Sequence, residues 1–318
     1  MGNLIVSYAP HVRSAKSTKH IMKDVVIALV PALLAAIYFF GLPALWHTVV
    51  CVLSCVFFEW GWCKAFKTQN TITDFSAVIT GILIAFNLPV SAPYWIGIAG
   101  SAFAIIIVKM LFGGLGNNFV NPAIAGRVFL LLCWPVLMTK WTEPKFVTSF
   151  LADAVSTATP LGVLAEGGDI AYSYAQMFLG NIGGCIGEVS TLAILIGFVY
   201  LLVRKVISWR IPVIYVGVVF VFSTLLGGDG LYHILSGGLM LGAVFMATDY
   251  VTSPMSALGQ VIYAAGLGVL TVVIRFYGSL PEGVSYSILL MNIVTPLIDT
   301  YTKNRWYGKT KTGGKLNG

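Results

Sequence analysis

The chain has few charged residues. Of its 318 positions, 10% are Asp, Glu, Lys or Arg and 58% are hydrophobic, whereas an ordinary soluble domain is about 25% charged. The apolar residues form continuous runs along the whole chain, such as the run that begins at Val25, and runs of this kind can cross a hydrocarbon core about 30 Å thick. They lack the period-two alternation of membrane β-strands. The composition therefore predicts an all-α polytopic membrane protein.

Several functional signatures are also missing from the sequence. It contains no Walker loop, dinucleotide fingerprint or hydrolytic triad, and no pair of its four histidines has the spacing of metal ligands. The five cysteines lie in or beside apolar runs, so we expect no disulfide framework. Basic residues that meet anionic inner-leaflet lipid account for the net charge of +7. We therefore predict no catalytic residue, no metal site and no nucleic-acid partner.

Windows of about 17–22 apolar residues predict ten transmembrane helices: 24–40, 44–63, 74–89, 94–112, 122–138, 183–203, 211–227, 231–248, 257–276 and 284–300. If the N-terminus is cytoplasmic, sixteen Lys and Arg residues lie inside and three lie outside. This is the positive-inside bias of membrane proteins. It predicts that both termini are cytoplasmic and that the polar interval 139–182 is extracytoplasmic.

A weak internal repeat relates the two parts of the chain. The stretches that begin at Gly81 and Gly242 each contain an apolar span, a break with proline, a second apolar span, then a basic residue, an aromatic residue and glycine. An offset of five spans places the two breaks on opposite sides of the membrane, which is typical of inverted-topology repeats with short or broken helices. A chance resemblance between two hydrophobic hairpins is the alternative.

The chain is therefore predicted to be one membrane domain, 1–318, in two five-helix halves. The first half covers about 24–138 and the second about 183–300. A loop at about 139–182 joins them, and residues 301–318 form a cytoplasmic tail.

Polar residues within or beside apolar runs mark candidate sites. Asn118 and Asn121 lie at the start of a predicted helix that opens with Pro122, where amide donors could hold a ligand. Simple capping of that helix is the alternative. Carboxylates inside a membrane are costly and are candidates for function, although for Glu188 a hydrogen bond to a neighbouring helix is the alternative. The candidates for an ion path are Glu59, Glu188 and Asp299.

Four stretches occur in an order and at intervals typical of one family: "KMLFGGLGNNFVNPA", "DAVSTATPL", "GGCIGEVS" and "FMATDYVTSP". On these motifs the chain resembles the RnfD/NqrB family of redox-pump subunits, and within it the shorter RnfD branch. The resemblance implies a membrane electron-transfer subunit of an ion-translocating (Na⁺ or H⁺) ferredoxin:NAD⁺ oxidoreductase in a bacterial or archaeal cell membrane. The subunit would act as part of a translocase, with RnfA, RnfB, RnfC, RnfE and RnfG as partners and no turnover alone.

The same resemblance implies covalent FMN on the extracytoplasmic loop, joined through its phosphate to a threonine. The family pattern Ser-Gly-Ala-Thr matches Ser156, Thr157, Ala158 and Thr159, with Thr157 in place of the glycine, and it assigns the phosphoester to Thr159. Asp153 fits the attachment signature of a flavin transferase, which moves FMN from FAD onto the threonine. Local hydrogen bonding by the loop's hydroxyls is the alternative.

A second flavin is also implied, because NqrB proteins hold a riboflavin within the membrane. The matching residues are Asn118, Asn121 and Asp249. An isoalloxazine ring requires apolar faces and a few polar groups at its edges. A function of another class, a solute channel or carrier with urea-transporter-like inverted repeats, is the alternative. Covalent flavin fluorescence on a denaturing gel distinguishes the two.

Overall fold

The computed structural model describes residues 17–68, 71–144, 156–157, 159–165, 172–278 and 283–302. Within these ranges the chain is mostly helical, as the composition predicts. The helices of the first half are α1 Thr18–Phe40, α2 Leu42–Phe66, α3 Ser76–Phe86, α4 Tyr94–Ala102, α5 Pro122–Cys133 and α6 Pro135–Met138. A short 3-10 turn, Ile72–Asp74, precedes α3, and α4 continues as a π-helix over Phe103–Met110.

The segment 139–182, which we call the central loop, contains the short strands β1 Trp141–Thr142 and β2 Ser156–Thr157, paired antiparallel. Its helices are α7 Pro160–Ala165 and α8 Tyr174–Leu179. The second half consists of α9 Thr191–Val203, α10 Arg210–Leu225, α11 Gly230–Leu235, α12 Leu239–Leu241, α13 Ala257–Tyr277 and α14 Val284–Tyr301. A π-helix, Gly242–Met246, continues α12.

Three helices in the described ranges are long and apolar enough to cross a membrane: Thr18–Phe40, Leu42–Phe66 and Ala257–Tyr277. Shorter apolar helices are Ser76–Phe86, Tyr94–Met110, Pro122–Cys133, Thr191–Val203 and Arg210–Leu225. Each of the ten predicted segments contains helix. A helical, polytopic architecture is thus supported, while the number of ten crossings stays a prediction.

Two predicted segments are less helical than expected. In the segment 183–203 the helix begins only at Thr191, because the glycine-rich residues before it form turns. The segment 231–248 is interrupted after Leu235, where Gly237 and Gly238 take φ values of +63° and +67°. Two successive left-handed residues cannot continue a right-handed helix, so the segment is divided into the two short helices α11 and α12.

The two halves use the same packing scheme. In the first half, α2 packs against α3 and α4, and α5 packs against the π-helix that follows α4. In the second half, α10 packs against α11 and α13, and α14 packs against α13. Between the halves, α1 packs against α9 and α5 against α14. This correspondence supports the internal repeat, whereas the inverted orientation of the halves stays a prediction.

Burial of apolar and charged side chains is the reverse of that in a soluble protein. Large apolar residues such as Leu53 and Phe57 are 63% and 60% exposed, as lipid-facing side chains would be. Glu59 and Lys109 are 0% and 2% exposed. Charges are buried in this way only when they are paired, so the interior of the bundle is where polar chemistry is concentrated.

Candidate functional site

Thr159, the predicted flavin attachment residue, is buried at the start of α7. Its side-chain oxygen accepts a hydrogen bond from the Gly162 amide at 3.0 Å, and its carbonyl accepts one from the Val163 amide at 3.0 Å. This is the geometry of a helix N-cap. The residue is 8% exposed. The Gly162 amide in the first turn of α7 therefore points toward the Thr159 hydroxyl.

Two of the other predicted residues of the attachment motif lie in a short β-strand. Ser156 and Thr157 form β2, and their backbones pair with Thr142 and Trp141. Asp153 and Ala158 lie outside the described residues. The strand pairing thus ends two residues before Thr159 and holds that part of the central loop against β1.

Helix α11 is fixed at the same side of the molecule as α7. The Asp229 carboxylate caps it by accepting from the amides of Leu231 at 3.0 Å and Tyr232 at 3.2 Å. A hydrogen bond from the Tyr174 hydroxyl holds the pKa of Asp229 below its ordinary value. The Tyr232 hydroxyl donates to the Pro160 carbonyl at 3.1 Å. These bonds join α8, α11 and α7 into one unit.

A cavity of about 350 Å³ lies where α7, α11 and the end of α13 meet; we call it the histidine cavity. Its lining residues are Leu161, Leu164, Gly227, Gly228, His233, Arg275 and Phe276. His233 is 3% exposed, and neither of its ring nitrogens has a hydrogen-bond partner among the described residues. The cavity therefore combines apolar walls with an unsatisfied polar group.

Glu188 is held in a buried ion pair at the junction of the two halves. Arg127 Nη1 donates to Glu188 Oε1 and to Asn87 Oδ1, and Nη2 lies 3.6 Å from Cys185 Sγ. The side chains of Arg127 and Glu188 are both 6% exposed. The charge of Glu188, predicted as an ion-path residue, is thus balanced within the protein.

The backbone also crosses this junction. The Ile186 amide donates to the Leu88 carbonyl at 3.0 Å, and the Gly187 amide donates to the Phe86 carbonyl at 3.0 Å. These bonds satisfy polar groups left free where α3 ends, as buried backbone groups require. They tie the second half directly to the first.

Glu59, a second predicted ion-path residue, is also paired with a cation. Lys109 Nζ lies 2.6 Å from Glu59 Oε2 and 2.6 Å from Ser76 Oγ. The Thr71 hydroxyl donates to Glu59 Oε1 at 2.5 Å, and Ser76 Oγ donates to Asp74 Oδ1 at 2.5 Å. Lys109 is carried by the π-helix after α4. The pair is therefore embedded in a chain of short hydrogen bonds.

A second cavity, which we call the asparagine cavity, contains the three residues predicted for riboflavin. Asn118, Asn121 and Asp249 all line it, and its volume is about 100 Å³. Much of the remaining lining is apolar, including Leu83, Leu115, Leu201, Val244 and Phe245. Lys109 also lines this cavity. The structure thus brings together residues that are more than 120 positions apart in the sequence.

The asparagines of this cavity have local hydrogen-bond partners. Asn121 Oδ1 accepts from the amides of Ala123 at 3.0 Å and Ile124 at 3.4 Å, which confirms the capping role considered from sequence. Its Nδ2 donates to the Met246 carbonyl at 3.3 Å. Asn118 Nδ2 donates to the Val120 carbonyl at 3.0 Å. Capping does not exclude ligand contact, because both side chains still border the cavity.

The remaining predicted carboxylates lie near the loop that precedes α13. Asp249 Oδ2 accepts from the Thr252 hydroxyl at 3.2 Å. Asp299, on the last turn of α14, accepts from the Met255 amide at 3.2 Å. The two carboxylates thus order the loop between the π-helix and α13, and only Asp249 borders the asparagine cavity.

Sequence reasoning missed the internal cations and one histidine. It counted Lys109, Arg127 and Arg275 as membrane-boundary charges, but they are 2%, 5% and 8% exposed. Without them, fourteen basic residues remain inside and two outside, so the bias persists. Lys109 and Arg127 stand within apolar runs, and that signal could have identified them as interior charges. No comparable signal singled out His233.

Comparison with known proteins assigns the chain to a family. The model of the NQR2, RnfD, RnfE family matches residues 5–308. The D subunit of the Na(+)-translocating ferredoxin:NAD(+) oxidoreductase complex of Acetobacterium woodii is 54% identical over 313 residues, covering 97% of this chain and 96% of that protein. The D subunit of the proton-translocating ferredoxin:NAD(+) oxidoreductase complex of Clostridium ljungdahlii is 43% identical over 320 residues, covering 95% and 96%.

A more distant relative agrees with these two. The D subunit of the ion-translocating oxidoreductase complex of Stutzerimonas stutzeri is 39% identical over 341 residues, covering 94% of this chain and 95% of that protein. The resemblance found in the four sequence motifs is confirmed by these full-length matches. The chain therefore belongs to the NQR2, RnfD, RnfE family.

Proposed function

We propose that this chain is the electron-carrying membrane protein, the D subunit, of an ion-translocating ferredoxin:NAD⁺ oxidoreductase complex, with FMN bound covalently to Thr159. The observation that carries the proposal is the near-complete match to relatives named as the D subunits of such complexes. One of these relatives is named for Na⁺ and the other for protons. Both ions therefore remain candidates for this chain.

The environment of Thr159 supports a phosphoester at this residue. Its oxygen accepts a hydrogen bond from the Gly162 amide at the start of α7, and a backbone N–H donor of this kind favours negative charge beside it. In the attachment step, Thr159 Oγ1 bonds to the phosphorus of the FMN moiety of FAD, the bond to AMP breaks, and the hydroxyl proton leaves to a base of the transferase. Because Thr159 is 8% exposed, the transferase must meet the central loop before it packs or while it opens.

When bound, FMN supplies a centre that accepts and releases one or two electrons. The residues of this chain hold that centre in place. Pairing of β2 with β1 fixes the chain before Thr159, and the bond from Tyr232 to Pro160 fixes the chain after it. The attachment point is thereby anchored at both ends.

Mass analysis of a peptide that spans residues 146–176 tests the attachment. With the flavin transferase present, we expect this peptide to gain the mass of FMN less one water. The Thr159→Ala variant should lose this mass and its ultraviolet fluorescence on a denaturing gel. The control Thr157→Ala changes a hydroxyl two residues away and should retain both signals. An unmodified peptide in the matured wild-type chain would exclude the covalent flavin, and the channel alternative predicts that result.

The asparagine cavity is the proposed place for a riboflavin. Asn118, Asn121 and Asp249 supply donors and acceptors, and the apolar lining suits the faces of a ring. Its volume of about 100 Å³ is below the range of about 300–1,000 Å³ that is common for ligand pockets. Binding therefore requires the loop at Asp249, which borders the cavity, to move outward.

The remaining parts of the proposal concern the ion path and the surroundings of the protein. Glu59 and Glu188 are neutralised by Lys109 and Arg127, so Asp299 is the favoured ion-path residue of the three predicted carboxylates. We place the chain in a bacterial or archaeal cell membrane with both termini cytoplasmic and the central loop extracytoplasmic. Its partners are the other Rnf subunits, RnfA, RnfB, RnfC, RnfE and RnfG, together with a flavin transferase and membrane lipid.

A further inference from the structure

The histidine cavity has the size and the composition of a site for a flat aromatic ligand. Its volume of about 350 Å³ falls within the range of about 300–1,000 Å³ for small-molecule pockets. Leu161 and Leu164 form one wall, and Phe276 forms another. Gly227 and Gly228 line a third side of the cavity, where only backbone atoms are present. A ring could therefore be enclosed between apolar surfaces.

His233 is a buried residue of this cavity whose side chain can still form hydrogen bonds. The side chain is 3% exposed, and both ring nitrogens lack a partner in the described part of the chain. A neutral imidazole offers one N–H donor and one acceptor nitrogen, and buried polar groups are almost always hydrogen-bonded. The ring of Phe276 lies 5.1 Å away at an angle of 32°. A ligand in the cavity could therefore hydrogen-bond a ring nitrogen of His233 and lie close to the Phe276 ring.

Arg275 holds the backbone beside His233 in place. It donates to the carbonyls of His233 at 2.5 Å, Ser236 at 3.0 Å and Gly237 at 3.3 Å. These carbonyls belong to the broken end of α11 and the two-glycine interruption. A guanidinium group remains protonated, so the cavity wall is also positively charged. That charge favours an electron-rich ligand edge.

The cavity adjoins the chain that follows Thr159. Leu161, a lining residue, stands two positions after Thr159, which is at most about 7 Å along an extended chain. The Tyr232 hydroxyl bonds to the Pro160 carbonyl at 3.1 Å, and Tyr232 precedes His233 on α11. A group tethered to Thr159 is therefore attached at the border of the histidine cavity.

We propose that the histidine cavity receives the aromatic ring of the flavin tethered to Thr159, and that His233 hydrogen-bonds the polar edge of that ring. This inference rests on the proposed attachment at Thr159. A flavin ring has apolar faces and an edge with alternating N–H and carbonyl groups, so it can donate to or accept from one ring nitrogen of His233 in either neutral tautomer. Phe276 and the leucines of α7 would exclude water from its faces.

Iodide quenching of flavin fluorescence tests the proposal on the full-length protein, matured with its transferase and purified in detergent. The substitution His233→Leu removes both ring nitrogens and leaves a side chain of similar volume. We expect its covalent flavin signal on a denaturing gel to equal that of the wild type. The quenching constant in the native protein should rise about three- to tenfold, the effect of losing a hydrogen bond that holds the ring. His233→Gln, which keeps a donor and an acceptor, should restore most of the protection.

Two further variants make the result decisive. Phe276→Ala opens the wall at a residue that is already 36% exposed, so it should fold and should also increase quenching. His47→Leu is the matched control, because His47 is a buried histidine (2% exposed) on α2, outside the histidine cavity. Wild-type quenching in both His233→Leu and Phe276→Ala, with the gel signal intact, would overturn the proposal and leave attachment at Thr159 standing. A wild-type chain that is dark on the gel would instead refute the attachment.

Discussion

Replacing one partner of the Lys109–Glu59 ion pair should destabilise the fold strongly. Lys109 Nζ lies 2.6 Å from Glu59 Oε2, and the two side chains are 2% and 0% exposed. Glu59→Gln leaves an ammonium group in the interior without its counter-charge. Removal of one partner from a buried pair costs about 3–5 kcal/mol, which changes the unfolding equilibrium by a factor of about a hundred or more.

Replacing both partners should cost much less. Glu59→Gln combined with Lys109→Met leaves two neutral side chains of similar volume, and such replacements are often neutral or stabilising. The hydrogen bond between Ser76 and Asp74 does not depend on either charge. We therefore expect the double variant to be more stable than either single variant, and to lose at least about 3 kcal/mol less than the sum of the two.

Equilibrium unfolding by sodium dodecyl sulfate in mixed micelles, followed by tryptophan fluorescence, measures these differences. Arg204→Gln serves as the control, because Arg204 pairs with Asp24 at 3.2 Å while its side chain is 52% exposed. An ion pair in contact with solvent contributes about 1 kcal/mol or less. The reasoning is refuted if Glu59→Gln is no more destabilising than this control, or if the double variant equals the sum of the singles.

This prediction also affects how ion-transport experiments on Glu59 should be interpreted. A transport defect in Glu59→Gln alone would follow from the uncompensated Lys109 as readily as from a lost ion ligand. A direct ion-binding role requires that the stable double variant also fails to transport.

Three further predictions concern the second flavin, the ion path and the junction. Asp249→Asn should lose riboflavin that denaturation extracts from the wild type, while gel fluorescence of the covalent flavin stays constant; retention of extractable riboflavin would contradict the role of Asp249. Asp299→Asn should reduce ion uptake by inverted vesicles that contain the complex, and full uptake would remove it from the ion path. Gly187→Ala should lower stability by about 1–3 kcal/mol, because a Cβ there would overlap the side chain of Phe86. Gly217→Ala is the control, because a Cβ there meets nothing within 4 Å, and it should stabilise the protein by up to about 1 kcal/mol. If the two variants shift the melting temperature equally, Gly187 is not in close contact with Phe86.

Much of the helical architecture could be predicted, since continuous apolar runs have few stable conformations in lipid other than helix. Helix lengths were predicted less well. The apolar run 231–248 contains Gly237 and Gly238, and their left-handed backbone divides it into α11 and α12. Hydropathy averages residue types over a window, so it does not register a break made by glycine conformation.

The candidate sites could be predicted in part. Asn121 was recognised at a helix start, and its capping bonds are present. Glu59 and Glu188 were recognised as buried carboxylates, but their partners were not, because Lys109 lies 50 residues from Glu59 and Arg127 lies 61 residues from Glu188. Pairing over such distances depends on helix packing, which a single sequence does not display.

The backbone bonds that join residues 86–88 to residues 185–187 restrict how the molecule can move. Carriers that alternate between two openings rock one repeat against the other around a central site. Here such rocking would break two main-chain bonds and separate Arg127 in the first half from Glu188 in the second. The midline of this protein is consequently a rigid joint. Fixed separations of that kind suit the tunnelling of electrons between stationary centres, and they direct any gating motion toward the periphery of the bundle.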